Sequence, residues 1–299
     1  MTNTKVQRTI FLLVLMQFLL AACSAPQATP TIVQPSATPP VQIIKDIPYL
    51  SPLASGVSEE VLDVYAPFEG DSWPVVVLLH KMDAAKEGYS DEVQAIAEQG
   101  VVVFNIDWPE KVAENSQGYR LISEALSCAI HFARAAAADY GGDPSRIILV
   151  GHGFGARRGA WIALAGDSLT GMWDAYSTDH GGPEPQVACL KDGGSSNVDA
   201  FIGIGGHYPN LELMRESDED LWKIVSQDAH FGQRPDLLIR LLHGEQDIRY
   251  SFEKSVELND ILTEEGYDTR LILFEGRNIV PIPLTIDVIL ELVLELGKQ

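Results

Sequence analysis

Three glycines at alternate positions, Gly151, Gly153 and Gly155, follow an apolar run that ends at Val150. A sharp turn from a strand into a helix needs glycine two residues before and two residues after its centre, because the two elements pass too closely there for side chains. The residue at the centre can project a serine or cysteine side chain to attack a carbonyl carbon. Here the centre is Gly153, which has no side chain to project.

Four residues that can carry protons or bind metals follow other apolar runs: His80, Asp107, His207 and Asp247. The carboxyl ends of parallel strands meet at one edge of a sheet, where ligands bind. We therefore expect all four to face a common crevice, in which His207 and Asp247 could act together as a base. Imidazole and carboxylate also suit zinc or iron, but no HxH or HExxH spacing supports a metal site, and we predict none. His152, beside the turn, is expected to point into the packed interior.

Six short apolar runs predict the strands that must position these residues. None of them alternates with polar residues, which indicates strands buried on both faces and therefore a parallel sheet. The runs are Pro74–His80, Val101–Asp107, Arg146–Gly151, Val198–Gly206, Leu237–His243 and Thr269–Phe274.

Helical periodicity occupies the intervals between these runs. One helix places five residues on a single face: Leu121, Ala125, Cys128, Phe132 and Ala136. Further helices are predicted over residues 252–265 and 284–296. The alternation predicts a single α/β domain at 42–299, with a doubly wound, mostly parallel sheet flanked by helices. Segments 167–197 and 208–235 lack this pattern and are predicted to be inserts above the sheet.

The stretch Asp143–Gly155, DPSRIILVGHGFG, resembles the nucleophile elbow of the esterase and lipase branch of the α/β-hydrolase superfamily. The resemblance extends over nearly all of residues 43–299, with a strand that ends in His80 and an acid loop, HGEQD. The chain order also fits, since 94 residues separate Gly153 from Asp247. The resemblance implies an α/β-hydrolase-like fold and assigns Asp247 to the position of the catalytic acid.

Two members of the catalytic triad that this resemblance implies are absent. The family has a nucleophile, usually serine, at the position of Gly153, and a histidine base in the loop after the last strand. That loop reads EGRNIV, so Asn278 or Ile279 takes the position of the histidine, and the last histidine of the chain is His243. Because neither an amide nor an alkyl group accepts a proton near neutral pH, only Asp247 of the triad remains.

The resemblance also assigns the backbone donors of an oxyanion hole to Lys81, Met82 and Phe154. The family usually has glycine after the strand-end histidine, which lets backbone N–H groups approach a developing negative charge. The corresponding loop here is His80-Lys81-Met82-Asp83. The side chains of Lys81 and Met82 leave the backbone donors in place but restrict the approach to them.

Residues 1–22 have the features of a secretion signal. Lys5 and Arg8 precede the 13-residue apolar segment Ile10–Ala22, which is shorter than the roughly 20 residues that cross a bilayer. The exit sequence Leu-Ala-Ala-Cys23 resembles the lipobox of bacterial lipoproteins. The resemblance implies cleavage before Cys23, a lipid anchor on its sulfur and an extracytoplasmic membrane location, in the outer membrane where the source has one. An ordinary signal peptide with an incidental cysteine is the alternative.

Residues 23–41 are predicted to be a tether. Ser24–Val41 contains five prolines and no charged residue, a composition that favours extended chain over a packed fold. With Cys23 assigned to the lipid, Cys128 and Cys189 remain, in a compartment where disulfides persist. We predict that they form a disulfide; two buried free thiols are the alternative.

The chain carries 42 acidic and 21 basic residues, a formal charge of −21, and has no basic run. Such a surface repels phosphate backbones, so we expect no nucleic-acid partner, and no cofactor is predicted. We expect a lipid-anchored, non-catalytic α/β-hydrolase homologue whose crevice binds a small molecule or a protein. The alternatives are a hydrolase that works through His207, Asp247 and a water or metal, and a structural envelope protein.

Overall fold

The computed structural model describes residues 40–209 and 211–296. The predicted signal peptide at 1–22, the lipid site Cys23 and the tether up to residue 39 lie outside the described residues.

The domain is built on an eight-stranded sheet with a second sheet of two strands. The strands of the described chain are β1 (Val41–Pro48), β2 (Leu50–Pro52), β3 (Val61–Pro67), β4 (Trp73–Leu79), β5 (Val102–Ile106), β6 (Gly142–His152), β7 (Val187–Cys189), β8 (Ala200–Ile204), β9 (Leu238–Gly244) and β10 (Asp268–Phe274). The large sheet has the order β1-β3-β5-β4-β6-β8-β9-β10. The six strands from β5 to β10 in that order run parallel, and β3 and β1 are antiparallel at one edge.

The six predicted apolar runs coincide with β4, β5, β6, β8, β9 and β10, so the predicted doubly wound, mostly parallel sheet is confirmed. The antiparallel strands β1 and β3 were not predicted. Their sequences, VQIIKDIP and VLDVYAP, contain lysine, aspartate and proline rather than an unbroken apolar run.

Helices cover both faces of the large sheet. The described helices are α1 (Ser90–Ala97), α2 (Ser116–Ala136), α3 (Phe154–Ala165), α4 (Ser168–His180), α5 (Glu212–Ser217), α6 (Glu219–Val225), α7 (Glu253–Glu264) and α8 (Ile286–Leu296). Alternate side chains of a strand point to opposite faces. Val75, Val77 and Leu79 of β4 accordingly pack in one core with α2, α3 and α7, and Val76 and Leu78 pack in the other with α1 and α8.

Helix α2 carries the predicted apolar stripe. Leu121 is half-buried and the other four residues of the stripe are buried, while the Asn115 side chain accepts a hydrogen bond from the N–H of Gly118 and caps the helix. The segment Ser116–Tyr140 is the one helix of the described chain long and apolar enough to cross a membrane, and 61% of its apolar window is buried inside the domain. We assign it to the core of the domain.

The two predicted inserts pack on the helical layer formed by α2 and α3. The first contains α4 and β7, and the second contains α5 and α6. In the first, the indole N–H of Trp173 donates to Ser123 Oγ on α2 at 2.7 Å. In the second, the carbonyl oxygen of Ile224 accepts from the indole N–H of Trp161 on α3 at 2.6 Å. These buried bonds fix both inserts to the layer above one face of the sheet.

A buried lysine joins the antiparallel edge to the loop that follows β4. Lys86 Nζ lies 2.7 Å from Asp46 Oδ1 on β1, 2.7 Å from Asp63 Oδ1 on β3 and 3.0 Å from Glu87 Oε1. Burial lowers the pKa of Lys86, but hydrogen bonds to the three carboxylates outweigh it and raise this pKa above its usual value. The ammonium group therefore stays charged and holds the loop from residue 80 to 89 against the sheet.

Cys128 of α2 and Cys189 of β7 form a disulfide, which confirms the predicted pairing. Strand β7 also pairs with β2. The bond therefore fixes the first insert and the small sheet to the longest helix of the described chain.

We expect loss of this disulfide to destabilise the domain. Its half-cystines are 61 residues apart, and for a loop of that length the unfolded chain gains enough freedom to lower the free energy of unfolding by about 2–4 kcal/mol. Urea denaturation of the oxidised protein and of the Cys128→Ala/Cys189→Ala variant measures the difference. A reductant should lower the stability of the wild type and leave the variant unchanged; equal midpoints for the two oxidised proteins would contradict the expectation.

Candidate active-site crevice

The turn from β6 into α3 has the geometry of a nucleophile elbow. Strand β6 ends at His152, α3 begins at Phe154, and Gly153 between them has φ 57° and ψ −112°. A Cβ atom at Gly151 would lie 2.5 Å from the carbonyl oxygen of Gly155, and one at Gly155 would lie 2.5 Å from that of His80. Side chains are excluded at both positions, so strand and helix approach as closely as the sequence indicated.

The elbow opens into a cavity of about 600 Å³. Its lining residues are Lys81, His152, Gly153, Gly205, Asp247, Ile248, Arg249, Tyr250, Asn278, Ile279 and Val280. A Cβ atom at Gly153 would lie 3.1 Å from Lys81 Cβ and 3.8 Å from Tyr250 Cε2. Among these described residues, none carries an aliphatic hydroxyl or a thiol, so the elbow faces an open space with no serine, threonine or cysteine on its wall.

Asp247 occupies the acid position of the elbow's crevice and is nearly buried, with its side chain 8% exposed. Its Oδ1 accepts hydrogen bonds from the backbone N–H groups of Arg249 at 2.8 Å and Tyr250 at 3.0 Å. Its Oδ2 lies 3.5 Å from His243 Nε2. The carboxylate therefore lies on the wall of the cavity, and its contacts hold its own loop together.

Asn278 lies in the loop after β10, where the resemblance expects a histidine. Its side-chain Oδ1 accepts a hydrogen bond from the N–H of Ile248 at 3.0 Å. Ile279, the other residue assigned to that position, is 54% exposed at the wall of the cavity. Asn278 therefore joins the last loop to the acid loop without providing a group that can carry a proton.

Ser255, His243 and Asp247 form a serine–histidine–acid row, but neither Ser255 nor His243 belongs to the lining of the cavity. His243 Nδ1 lies 2.7 Å from Ser255 Oγ, and Nε2 lies 3.0 Å from the carbonyl oxygen of Tyr250. A carbonyl only accepts, so Nε2 holds the proton and Nδ1 accepts from the Ser255 hydroxyl. His243 is 0% and Ser255 is 1% exposed, and neither lines the cavity. A substrate cannot reach this serine, and the alignment positions α7 against β9.

Tyr89 accepts a hydrogen bond from the Lys81 N–H, one of the backbone donors that the resemblance assigns to the oxyanion hole. The backbone N–H of Lys81 donates to Tyr89 Oη at 3.2 Å, and Tyr89 Oη lies 2.8 Å from His152 Nδ1. Burial raises the pKa of Tyr89 to about 12, so the phenol stays protonated. Its hydroxyl donates a hydrogen bond to His152 Nδ1. The Lys81 donor is therefore bonded within the chain.

The other two residues assigned to the oxyanion hole pack against the core. Met82 is half-buried and contacts the core on the α2 and α3 face of the sheet. Phe154 is buried, and its ring stacks parallel to that of Trp108 with 6.3 Å between the centroids. Neither side chain lines the cavity.

Three residues expected to face the crevice do not line this cavity. His80 is buried with Nε2 3.6 Å from Asp107 Oδ1, and Asp107 in turn accepts from the N–H of Lys86 at 2.9 Å. Burial raises the pKa of Asp107. His207 is half-buried, and its ring stacks on Tyr250 with 5.0 Å between centroids. His80, Asp107 and His207 follow the ends of β4, β5 and β8, but their side chains contact these partners and do not line the cavity.

His152 is the histidine that lines the cavity, although it was expected to point into the interior. It is 9% exposed. Burial, and next the positive charge of Lys81, lower its pKa to about 4 against the opposing effect of Asp247. It is therefore neutral at pH 7 and a weak base. Tyr89, its partner, is 63 residues away in sequence, and no local pattern signals that contact.

Within residues 40–209 and 211–296, no three histidine, cysteine, aspartate or glutamate side chains are grouped so that they could hold a metal ion. The four strand-end residues fall into separate contacts, His80 with Asp107, Asp247 with its own loop and His207 with Tyr250.

We expect His152 to make the fold less stable as the pH falls. Its pKa is about 4 when folded, against a usual 6.5, so the unfolded chain takes up the proton first. Between pH 8 and pH 5 this difference should lower the free energy of unfolding by about 2 kcal/mol. Urea denaturation at both pH values should show a correspondingly smaller loss for His152→Gln than for the wild type. An equal loss in the two proteins would contradict the assignment.

Comparisons with known proteins agree with this geometry. The BD-FAE family model matches residues 62–262. Isoprenylcysteine alpha-carbonyl methylesterase ICME of Arabidopsis thaliana is 25% identical in an alignment of length 252 that covers 72% of this chain and 52% of the relative. A probable isoprenylcysteine alpha-carbonyl methylesterase, ICMEL1 of Oryza sativa subsp. japonica, is 25% identical in an alignment of length 256 that covers 72% of this chain and 53% of the relative. The chain thus spans about half the length of these curated relatives.

Solved structures share the fold at low sequence identity. A truncated carbohydrate esterase from gut microbiota superposes with a TM-score of 0.65 at 18% identity, covering 89% of this chain and 99% of that one. Esterase 2 of Thermogutta terrifontis in its propionate-bound form superposes with a TM-score of 0.61 at 18% identity, covering 84% of this chain and 94% of that one. The family model spans 201 of the 299 residues, from β3 into α7, and includes the elbow and the acid loop. The chain therefore belongs to the BD-FAE family, within the esterase-like α/β-hydrolases.

Proposed function

We propose that this chain is a non-catalytic member of its family that binds a small molecule in the crevice at the elbow. We further propose that it is held at the extracytoplasmic face of a membrane by a lipid on Cys23. The observation that carries the first proposal is Gly153 at the centre of an otherwise intact elbow. The second is supported by the signal and lipobox features of the sequence and by a disulfide, a bond that persists outside reducing compartments.

Acyl transfer in this superfamily needs a nucleophile and a base that takes its proton. Gly153 supplies no nucleophile, and Asn278 supplies no base. His152 is the histidine on the cavity wall, but with a pKa of about 4 it is poorly matched to proton transfer near neutral pH. Loss of triad members typically lowers turnover by about 10⁴–10⁶-fold. The relatives are named as esterases. Because of Gly153, Asn278 and His152, we infer that this chain does not share their chemistry.

The alternative is a hydrolase that works through His207 and Asp247. In the described structure, the His207 ring is stacked on Tyr250. Asp247 is engaged by two backbone N–H groups and faces His243. Nothing in this geometry favours the alternative, and we retain binding as the function that the site supports best.

The chemistry of the wall favours an anionic ligand with an apolar body. Lys81 and Arg249 line the cavity in a chain with a formal charge of −21, and the carboxylate of Asp247 is already hydrogen-bonded to two backbone N–H groups. Ile248, 89% exposed, and Ile279 add an apolar wall. A volume of about 600 Å³ lies within the roughly 300–1,000 Å³ of small-molecule sites. We infer a small organic carboxylate rather than a protein segment as the ligand.

Restoring the hydroxyl at the elbow should not restore catalysis. Gly153→Ser places a side chain at φ 57° and 3.1 Å from Lys81 Cβ. It should lower the free energy of unfolding by about 1–3 kcal/mol, as should the matched Gly153→Ala. Neither variant should release a burst of p-nitrophenol from short p-nitrophenyl esters, because no base follows Asp247. The wild-type rate should be the same in Asp247→Ala. A burst from Gly153→Ser, or wild-type activity abolished by Asp247→Ala, would contradict the proposal.

Carboxylates should bind the wild-type protein more tightly than neutral molecules of the same shape. Titration calorimetry compares hexanoate and benzoate with hexanamide and benzamide. Lys81→Gln should weaken carboxylate binding about 10–100-fold, the usual effect of a lost hydrogen bond to a charged group. The exposed Lys45→Gln serves as the matched control and should have no effect. Equal binding of acids and amides, or no binding of either, would show that the crevice is not a carboxylate site.

A further inference from the structure

One ring nitrogen of His152 is left without a hydrogen-bond partner at the wall of the elbow cavity. The ring is 9% exposed and lines that cavity. Its Nδ1 lies 2.8 Å from Tyr89 Oη. Its Nε2 has no partner within residues 40–209 and 211–296, and it is not among the polar atoms there that are both fully buried and unpartnered. The exposed part of the ring therefore includes Nε2, and this atom faces the cavity.

The contacts of Tyr89 determine which nitrogen of His152 carries the proton. A phenol has one proton to donate. Tyr89 Oη accepts from the N–H of Lys81 at 3.2 Å, so its own proton is directed to His152 Nδ1. Burial, and next the positive charge of Lys81, lower the pKa of His152 to about 4. The ring is therefore neutral near pH 7, and because Nδ1 accepts, the N–H lies on Nε2.

The charged neighbours of this N–H favour an anionic acceptor. Besides burial, the charges of Lys81 and Asp247 act on the His152 ring, so the three side chains are neighbours on the cavity wall. The carboxylate of Asp247 already accepts two backbone N–H groups. The ammonium group of Lys81 forms no ion pair within the part of the chain that the structure describes. A ligand oxygen at Nε2 would therefore also be attracted by an uncompensated positive charge.

We propose that the Nε2–H of His152 is a ligand-binding donor of the elbow crevice, and that it and the Lys81 ammonium hold the two oxygens of one carboxylate. This inference rests on the proposed function and names the groups that would bind the ligand. Two nearby backbone donors are already used, since the N–H of Gly153 donates to the carbonyl oxygen of Ile204 at 2.8 Å and that of Lys81 donates to Tyr89. A hydrogen bond to an ionised acceptor is stronger than one to a neutral acceptor, so the pair selects a carboxylate over an amide.

Nitrogen NMR of the imidazole rings tests the proposal on the wild-type protein. The signals of His152 are identified by their absence from the spectrum of His152→Gln. In the free wild type, Nε2 should be protonated and Nδ1 unprotonated. Saturating benzoate should shift the Nε2 resonance and leave that of His180, 41% exposed, unchanged. A proton on Nδ1 in the free protein, or an unmoved Nε2 resonance with benzoate bound, would overturn the inference.

Titration calorimetry with benzoate measures the effect of the donor on affinity. His152→Leu removes the N–H and should weaken binding about 10–100-fold. His152→Gln keeps an N–H close to the position of Nε2 and should recover most of the loss. His180→Leu is the matched control and should bind as the wild type does.

The outcomes separate this inference from the proposed function. Undiminished benzoate binding by His152→Leu, or equal losses in His152→Leu and His152→Gln, would overturn the role of His152 and leave the carboxylate crevice in place. No binding of benzoate or hexanoate by the wild type would overturn both.

Discussion

The close passage of β6 under the start of α3 is the constraint on which the rest of the site depends. At Gly151 and Gly155, a single added carbon atom would lie 2.5 Å from a backbone oxygen. The chain must therefore reverse within one residue, and Gly153 does so at φ 57°. Glycine adopts this conformation at little steric cost, whereas a serine there is strained. An active esterase must hold that strain to expose its nucleophile, and this chain is relieved of it.

The hydrogen bonds around the elbow support the proposal that this site does not perform acyl transfer. The Lys81 N–H, suited to an oxyanion, is bonded to Tyr89, and the Tyr89 hydroxyl holds His152. Asn278 binds the acid loop through the N–H of Ile248. These groups are hydrogen-bonded to other residues of the chain. The wall of the cavity carries Lys81, Arg249 and Asp247 together with apolar side chains, and this combination supports the proposal of a binding site.

The sheet and the elbow could be predicted from sequence because their signals are local. Apolar runs of six to nine residues mark buried parallel strands, and the spacing of Gly151 and Gly155 marks the elbow. The disulfide followed from composition and compartment. The antiparallel edge could not be predicted because its strands lack an unbroken apolar run. The Lys86 cluster and the Tyr89–His152 bond could not be predicted because they join polar residues that are distant in sequence. The orientation of His80 and His207 also depends on such partners, Asp107 and Tyr250, so their position at strand ends did not place them in the cavity.

The central claim is that the crevice contains no activated nucleophile. Treatment of the intact wild-type protein with a fluorophosphonate, followed by intact-mass spectrometry, tests this most directly, because such reagents phosphonylate a serine that an imidazole activates. The account predicts an unchanged mass, with the buried Ser255 protected alongside His243. A stoichiometric adduct that maps by peptide sequencing to any serine of the chain would contradict it.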